Sequence, residues 1–434
     1  MKAACTLAAA VWCAGASAQA DPAAVLLRGR ERIHEAVGSL SKYTCTQTVD
    51  RSYFRQQGRR GAGCDEIVAN KNRGRFRLDL TATDRLRLDV AVADSGVEIY
   101  SWPNAGRIGA RKVEDLAAGG PIGTGSFGGF LRDVFENPGA EVAYDKAEPL
   151  EGQTLLRYRF RVPLKASHYG VQGGAVYSRT AYGGAFWLDP ASGDLRRLMV
   201  RTGELAPNTG VCEATTQVDL TYSRIGAGDY LVPRGSLLHT VGRYGSETES
   251  AATYSACREY HGDSVVHFDA GEAARGTGYV STPRTGQPLP PGLPVVLALE
   301  DAIDTGTAAA GDPIAARILA DVVEMPSTRV LAAAGSTVRG RITHMEHHVE
   351  GRSYFLVTLT WETLEAGGVV SPFRAILDRP LRILDPNKPN PCSENVQQVE
   401  SHEKWEGGGT LVLPSRGGRY VTPRGCESDW LTIR

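Results

Sequence analysis

Nowhere does the chain carry the roughly 18 uninterrupted apolar residues that a membrane-spanning helix requires, so no stretch is a candidate span. It also lacks a charge excess. Its 48 Lys and Arg against 49 Asp and Glu give a net charge of -1, without the basic footprint of a nucleic-acid-binding protein. None of the eight cysteines forms the C-x-x-C pair of a structural zinc site. No serine sits in a G-x-S-x-G elbow, since Ser126 has Thr124 two places before it. These gaps argue against a zinc-ribbon module and against a hydrolase built on a nucleophile elbow.

Residues 1–20 read as a secretory signal: Lys2, an apolar run through Ala14, then the small-residue sites Ala16-Ser17-Ala18 and Ala18-Gln19-Ala20. Its removal takes away Lys2, Cys5 and Cys13, leaving a charge of -1 - 1 = -2 and six cysteines. An even number after an export signal implies a periplasmic or secreted protein with three disulfides. Sequence does not fix the connectivity; proximity along the chain and the domain division favour Cys45–Cys64, Cys212–Cys257 and Cys392–Cys426.

The most strongly patterned stretch runs from Arg73 to Trp102. Phe76, Leu78 and Leu80 alternate with Arg75, Arg77 and Asp79; after Thr81-Ala-Thr-Asp84, Leu86, Leu88 and Val90 alternate with Arg85, Arg87 and Asp89. Period-two alternation gives strands with one oily and one charged face, and the breaks predict an antiparallel meander. Asp21-Pro22 opens a helix whose Leu26, Ile33, Val37 and Leu40 form one apolar stripe. Phe127 to Phe135 predicts a second helix, ended by Asn137-Pro138-Gly139. Further strands fall at Glu141–Tyr144, Leu156–Val162 and on both sides of the Asp189-Pro-Ala-Ser-Gly193 turn, then at Gln217–Arg224 and Tyr230–Val241. Residues 270–294 are rich in Gly, Pro, Thr and Ala and read as a linker. Beyond it, a hairpin turning at Glu350-Gly351-Arg352 has Phe355, Val357, Leu359 and Trp361 on its core face. The organisation expected is a signal (1–20), a first domain (21–269), a linker (270–294) and a C-terminal β-rich domain (295–434).

Three clusters carry possible chemistry. Gly123-Thr-Gly-Ser-Phe-Gly128 matches G-x-G-x-x-G, but the fingerprint belongs to a parallel βαβ unit and its neighbours here read as antiparallel. No cofactor is assigned. His344, Glu346 and His348 share one face of a strand and form the candidate metal set; a polar hairpin end is the plainer account. Ser167-His168-Tyr169 and Glu259-Tyr260-His261 read more simply as hydrogen-bonded structural groups than as acid–base machinery, so no catalytic residue is assigned. Tyr100 with Trp102, and Phe186 with Trp187, are candidate walls of a ligand cavity or ordinary core.

Arg73–Asp79, Glu98–Trp102 and Phe186–Gly193, in the order helix, meander, glycine-rich segment, helix and strands, resemble the Lol-type periplasmic lipoprotein carriers. Their relatives include mycobacterial lipid carriers and the sensory domain of the sigma-E regulator. The resemblance covers about Asp21 to Asp269. It implies an unclosed β-barrel wrapping a greasy concavity under helices, with Phe76, Leu78, Leu80, Leu86, Leu88, Tyr158, Phe160 and Phe186 lining the concave face. The segments from Ala310 and from Leu331 resemble a pattern found in the barrel subunit of type IV secretion outer-membrane complexes. The expectation is therefore a mainly β (α+β) envelope protein: an antiparallel unclosed β-barrel with packing helices, plus a second, smaller β-barrel or sandwich. A non-catalytic role follows, binding a lipid, hydrophobic ligand or lipidated partner. The alternatives are an assembly module docking an envelope protein, and a metal-dependent hydrolase at His344–His348.

Overall fold

The computed structural model describes residues 20–57, 63–74, 77–93, 97–105, 113–117, 119–173, 176–203, 205–259, 284–378, 382–384, 395–398 and 408–434. The Asp21 carboxylate accepts the Ala23 amide and opens helix α1 (Pro22–Val37). Val25, Gly29, Ile33, Ala36 and Val37 are its buried stripe. Gly29 lets the helix close on Leu188, whose Cδ1 lies 2.6 Å from where a Cβ would stand.

Strand β1 (Tyr43–Gln57) is followed by α2 (Cys64–Asn72), β2 (Arg77–Val92), β3 (Glu98–Ser101), α3 (Val113–Leu116) and α4 (Gly129–Phe135). Then come β4 (Glu141–Leu150), β5 (Gln153–Val162) and a small hairpin of β6 (Gly170–Gly173) with β7 (Val176–Arg179). The sequence of strands continues with β8 (Tyr182–Leu188), β9 (Leu195–Thr202), β10 (Val211–Ile225), β11 (Gly228–Gly242) and β12 (Ser246–Glu259). All but β6 and β7 join one antiparallel sheet, in the order β3-β2-β1-β12-β11-β10-β9-β8-β5-β4. Among the described residues β3 and β4 do not pair, so the sheet is antiparallel and unclosed. The β4 edge carries Lys146, Pro149 and a register shift at Asp145, devices that blunt an open edge.

The meander differs from its expected form. Thr81 to Asp84 makes no turn, and β2 runs unbroken beside β1. The register steps from Tyr53–Ala82 to Phe54–Leu80, so Thr81 is an inserted residue, a β-bulge. One extra residue inverts every side chain beyond it. Leu86 and Leu88 thus pair beside Val49 and Gln47 on the inner face, at 2% and 0% exposure. Leu78 and Leu80 pair beside Gln56 and Phe54 on the outer face, and each is 37% exposed.

The disulfides also differ. Cys45 bonds Cys257 and Cys64 bonds Cys212, in place of Cys45–Cys64 and Cys212–Cys257. Pairing of β1 with β12 sets Tyr43 opposite Glu259 and Thr44 opposite Arg258, which brings Cys45 beside Cys257 across 212 residues of chain. Helix α2 lies against β10, where Lys71 Nζ reaches Glu213 (3.3 Å) and His239 (3.0 Å) beside the second bond. Sheet neighbours, not chain neighbours, decided the pairing. Cys426 is disulfide-bonded as well; its expected partner Cys392 lies outside the described residues.

A second core forms around Trp361 and Trp430, whose rings meet edge-on at 5.5 Å. Its strands lie in the order Glu427–Thr432, Pro294–Leu299, Pro313–Ile318, Thr337–His348, Tyr354–Ala366, Gly409–Pro414. Phe355, Val357, Leu359 and Trp361 are buried. In the expected linker, Arg284 and Thr285 pair in parallel with Val369 and Val370 of this core. The two cores share a seam. Glu346, His347 and His348 pair with Asp84, Thr83 and Ala82 along the edge of β2. The Arg87 amide donates to the Ala310 carbonyl (2.7 Å), and the Ala310 amide donates to Arg85 (2.9 Å). Ion pairs Arg87–Asp312 and Arg55–Glu350 cross the same line.

Candidate functional site: a recess on the concave face

Inward-facing residues of the first sheet divide into a filled part and an open part. The filled part holds an aromatic cluster. Phe186 stacks on Tyr158 at 5.2 Å and meets Phe135 of α4 at 4.8 Å, while Phe160 contacts Tyr182 at 6.1 Å. Leu86, Leu88, Tyr158, Phe160 and Phe186 therefore lie in packed core. Trp102 lies at the seam: Gly311 of the second core sits against its ring, and the Arg341 guanidinium stands 5.9 Å from the ring centre. Phe76 lies outside the described residues. Of the residues expected to line a greasy concavity, the structure brings six into one packed core, Trp102 at its seam among them.

The open part lies over β10, β11 and β12, where the inward residues apart from Leu238 are small: Ala214, Thr240, Gly242, Ser246 and Thr248. Residues 119–124 cross this face as a strap, leaving a recess of 570 Å³ beneath it. Tyr169, Gly170, Val171 and Tyr177 from the β6–β7 side complete the walls. Burial pushes the Tyr169 hydroxyl up to about 12, although a hydrogen bond with Thr216 pulls the other way, so it stays neutral. A recess of this size, apolar with a few convergent polar groups, is the usual form of a small-ligand site.

What pins the strap is a buried polar anchor. Register sets Arg51 of β1 opposite Asp84 of β2 and Ser250 of β12, all on the inner face. Arg51 Nε and Nη2 donate to the two Asp84 oxygens at 2.6 Å each, a bidentate pair with side chains 1% and 6% exposed. Two further guanidinium N–H groups go to backbone: Nη2 to the Ala117 carbonyl (2.8 Å) and Nη1 to Gly119 (2.7 Å). Tyr53 donates to Asp84 (2.8 Å), and Ser250 donates to the Pro121 carbonyl (3.1 Å). Gly120 sits at φ +72, and a Cβ there would fall 2.2 Å from the Tyr53 hydroxyl. Only glycine lets the strap lie this close.

Beside the recess lies a second hollow of 650 Å³, sharing Val113, Glu114, Thr124 and Gln172 with it and adding Glu98 and Asp115. Glu98 accepts the amides of Gly125 and Phe127 (2.7 Å each) and the Tyr100 hydroxyl (2.6 Å). Those amides belong to the G-x-G-x-x-G stretch. Its turn thus holds a carboxylate of its own chain where a nucleotide fold would hold phosphate.

His344, Glu346 and His348 do share one face, as period two requires. Both imidazoles use Nε2 on the one carboxylate: His344 to Oε2 at 3.0 Å and His348 to Oε1 at 2.9 Å. Burial alone would raise the Glu346 carboxyl; hydrogen bonds from the two histidines outweigh it and hold the group at about 2. The same bond raises His348. Burial lowers His347, which faces the other way, stacking on Phe355 at 4.1 Å. The arrangement is a hydrogen-bonded His–Glu–His cluster at the seam. Among the described residues no three or more His, Cys, Asp or Glu side chains gather as a metal site. His168 meets Asp133 at the surface (3.1 Å), Ser167 is buried against Tyr169, and Glu259 accepts the Ala227 amide. Tyr260 and His261 lie outside the described residues.

The small inward residues of the recess carry no hydrophobic signal in the sequence. Thr240, Gly242, Ser246 and Thr248 alternate as faithfully as any leucines, and their smallness leaves the space open. No protein-family model matches the chain, and no curated protein matches it. Among solved structures, the chain is similar to a LolA superfamily protein from Nitrosomonas europaea: 10% identity, TM-score 0.25, covering 54% of this chain and 91% of that one. It is similar to an outer membrane lipoprotein-sorting protein domain from Vibrio parahaemolyticus at 13% identity and TM-score 0.25, covering 55% and 94%. A DUF1329 family protein from Desulfovibrio piger gives 11% identity and TM-score 0.23, covering 56% and 95%.

Proposed function

We propose that this chain is an exported, non-catalytic cell-envelope protein that binds a hydrophobic or amphipathic ligand, a lipid or a lipidated partner, under the strap at residues 119–124. The observation that carries the reading is the 570 Å³ recess on the inner face of the first sheet, beside its packed aromatic core. Burying an alkyl chain there gains about 25 cal/mol per Å² of apolar surface removed from water. The oxidising compartment needed for Cys45–Cys257 and Cys64–Cys212 supports export. Titrating the protein with the neutral probe N-phenyl-1-naphthylamine tests it. Saturable binding near one probe per chain, lost in Thr240→Trp, is the expected result. Fluorescence that never saturates, or that Thr240→Trp leaves unchanged, counts against the site.

A second reading has its own support. Leu86, Leu88, Tyr158, Phe160 and Phe186 are solid core, and the second core continues the sheet along β2. Both features suit an assembly module docking an envelope partner, and such a module would bind no probe.

A further inference from the structure

Resting on the reading that the recess takes an apolar ligand, the shape of the site narrows the class. We propose that it holds an amphiphile with a single alkyl chain and an uncharged, hydrogen-bonding head. The recess of 570 Å³ lies within the range of a pocket for one small ligand, the size of a single-chain amphiphile.

A second chain running along the shared wall would enter the adjoining 650 Å³ hollow past Glu98, Glu114 and Asp115. Methylenes laid there would strip water from carboxylates, which is costly. Glu98 already accepts hydrogen bonds from two backbone amides and a phenol. Chain capacity is therefore set by the first recess alone. The head follows from the walls. Among the described residues lining the recess there is no Lys, Arg or His. Thr240, Ser246, Thr248 and Gln172 offer hydroxyls and an amide, with Tyr177, 62% exposed, at the rim. A phosphate head would meet the Glu114 carboxylate in place of a cation.

The test is displacement of N-phenyl-1-naphthylamine from the mature protein. The competitors are 1-monolauroylglycerol, dilauroylglycerol and lauroyl-lysophosphatidylglycerol, all below their aggregation concentrations. The monoglyceride is expected to displace the probe at concentrations at least tenfold lower than either of the others. Thr248→Val, which keeps shape and removes one hydroxyl, is expected to weaken the monoglyceride severalfold while probe affinity holds. Equal displacement by dilauroylglycerol overturns the single-chain limit. Equal displacement by the lysophospholipid, or no change in Thr248→Val, overturns the head assignment. A protein that binds no probe at all overturns the broader reading, and this one with it.

Discussion

Replacing Arg51 by Met would leave the Asp84 carboxylate, 6% exposed, without its cation and deprive the Ala117 and Gly119 carbonyls of their donors. Removing one partner of a buried ion pair costs about 3–5 kcal/mol, because the other charge stays behind uncompensated. The expected loss is in that range. The double change Arg51→Met with Asp84→Leu removes the stranded charge, and apolar replacement of a whole buried pair is often close to neutral. Both variants leave the Ala117 and Gly119 carbonyls short of a donor, so the double change exchanges the stranded charge, about 3–5 kcal/mol, for a Tyr53 hydroxyl without its acceptor, about 1–3 kcal/mol. The predicted order is wild type, then double, then single. Because two cores need not unfold in one step, the assay is hydrogen exchange of β1 and β2 peptides as a function of urea. In both variants the amides of residues 119–124 are expected to exchange faster. A single variant within about 1 kcal/mol of wild type, or a double variant below the single, would refute the anchor.

Glu346 is held near 2 against an ordinary 4.5, so its stabilisation is complete above pH 4.5 and fades as pH falls from there toward 2. His348 is raised above 6.5, so its share is complete below pH 6.5 and fades as pH rises through the folded value. The melting-temperature gap between wild type and Glu346→Gln should therefore be widest from pH 4.5 to 6.5 and narrow on either side; a flat gap would refute the pairing. For Glu346 the contribution is capped on the order of 3 kcal/mol. Leu88→Ala should cost about 2–5 kcal/mol and Leu80→Ala under about 1, measured by urea midpoints; equal losses would contradict the bulge at Thr81. Non-reducing digests should link the Cys45 peptide to that of Cys257 and the Cys64 peptide to that of Cys212. Closing loops of 212 and 148 residues stabilises by about 5 kcal/mol each in the chain-entropy description.

Much of the fold was legible where one residue type repeats at one period. Asp21-Pro22 announced α1, and Phe355 to Trp361 announced an inner strand. What escaped was set by partners distant in sequence. Thr81 reads as part of a turn until β1 is laid beside it, and the bulge then turns Leu78 and Leu80 outward. Cys45 finds Cys257 only because the last strand of the sheet returns beside the first. The recess was invisible for a different reason: threonine, serine and glycine at inward positions signal space, whereas hydrophobic patterning signals its filling. His344, Glu346 and His348 were correctly placed on one face, but sequence did not show that the carboxylate would take both imidazoles.

The central question is whether the recess over β10–β12 takes a ligand. Native mass spectrometry of the mature protein, purified without detergent, tests this beside Thr240→Trp. The prediction is a lipid-sized adduct, about one per chain, on wild type and absent from a folded Thr240→Trp. Wild-type protein of bare polypeptide mass that also takes up no added monoglyceride would contradict it.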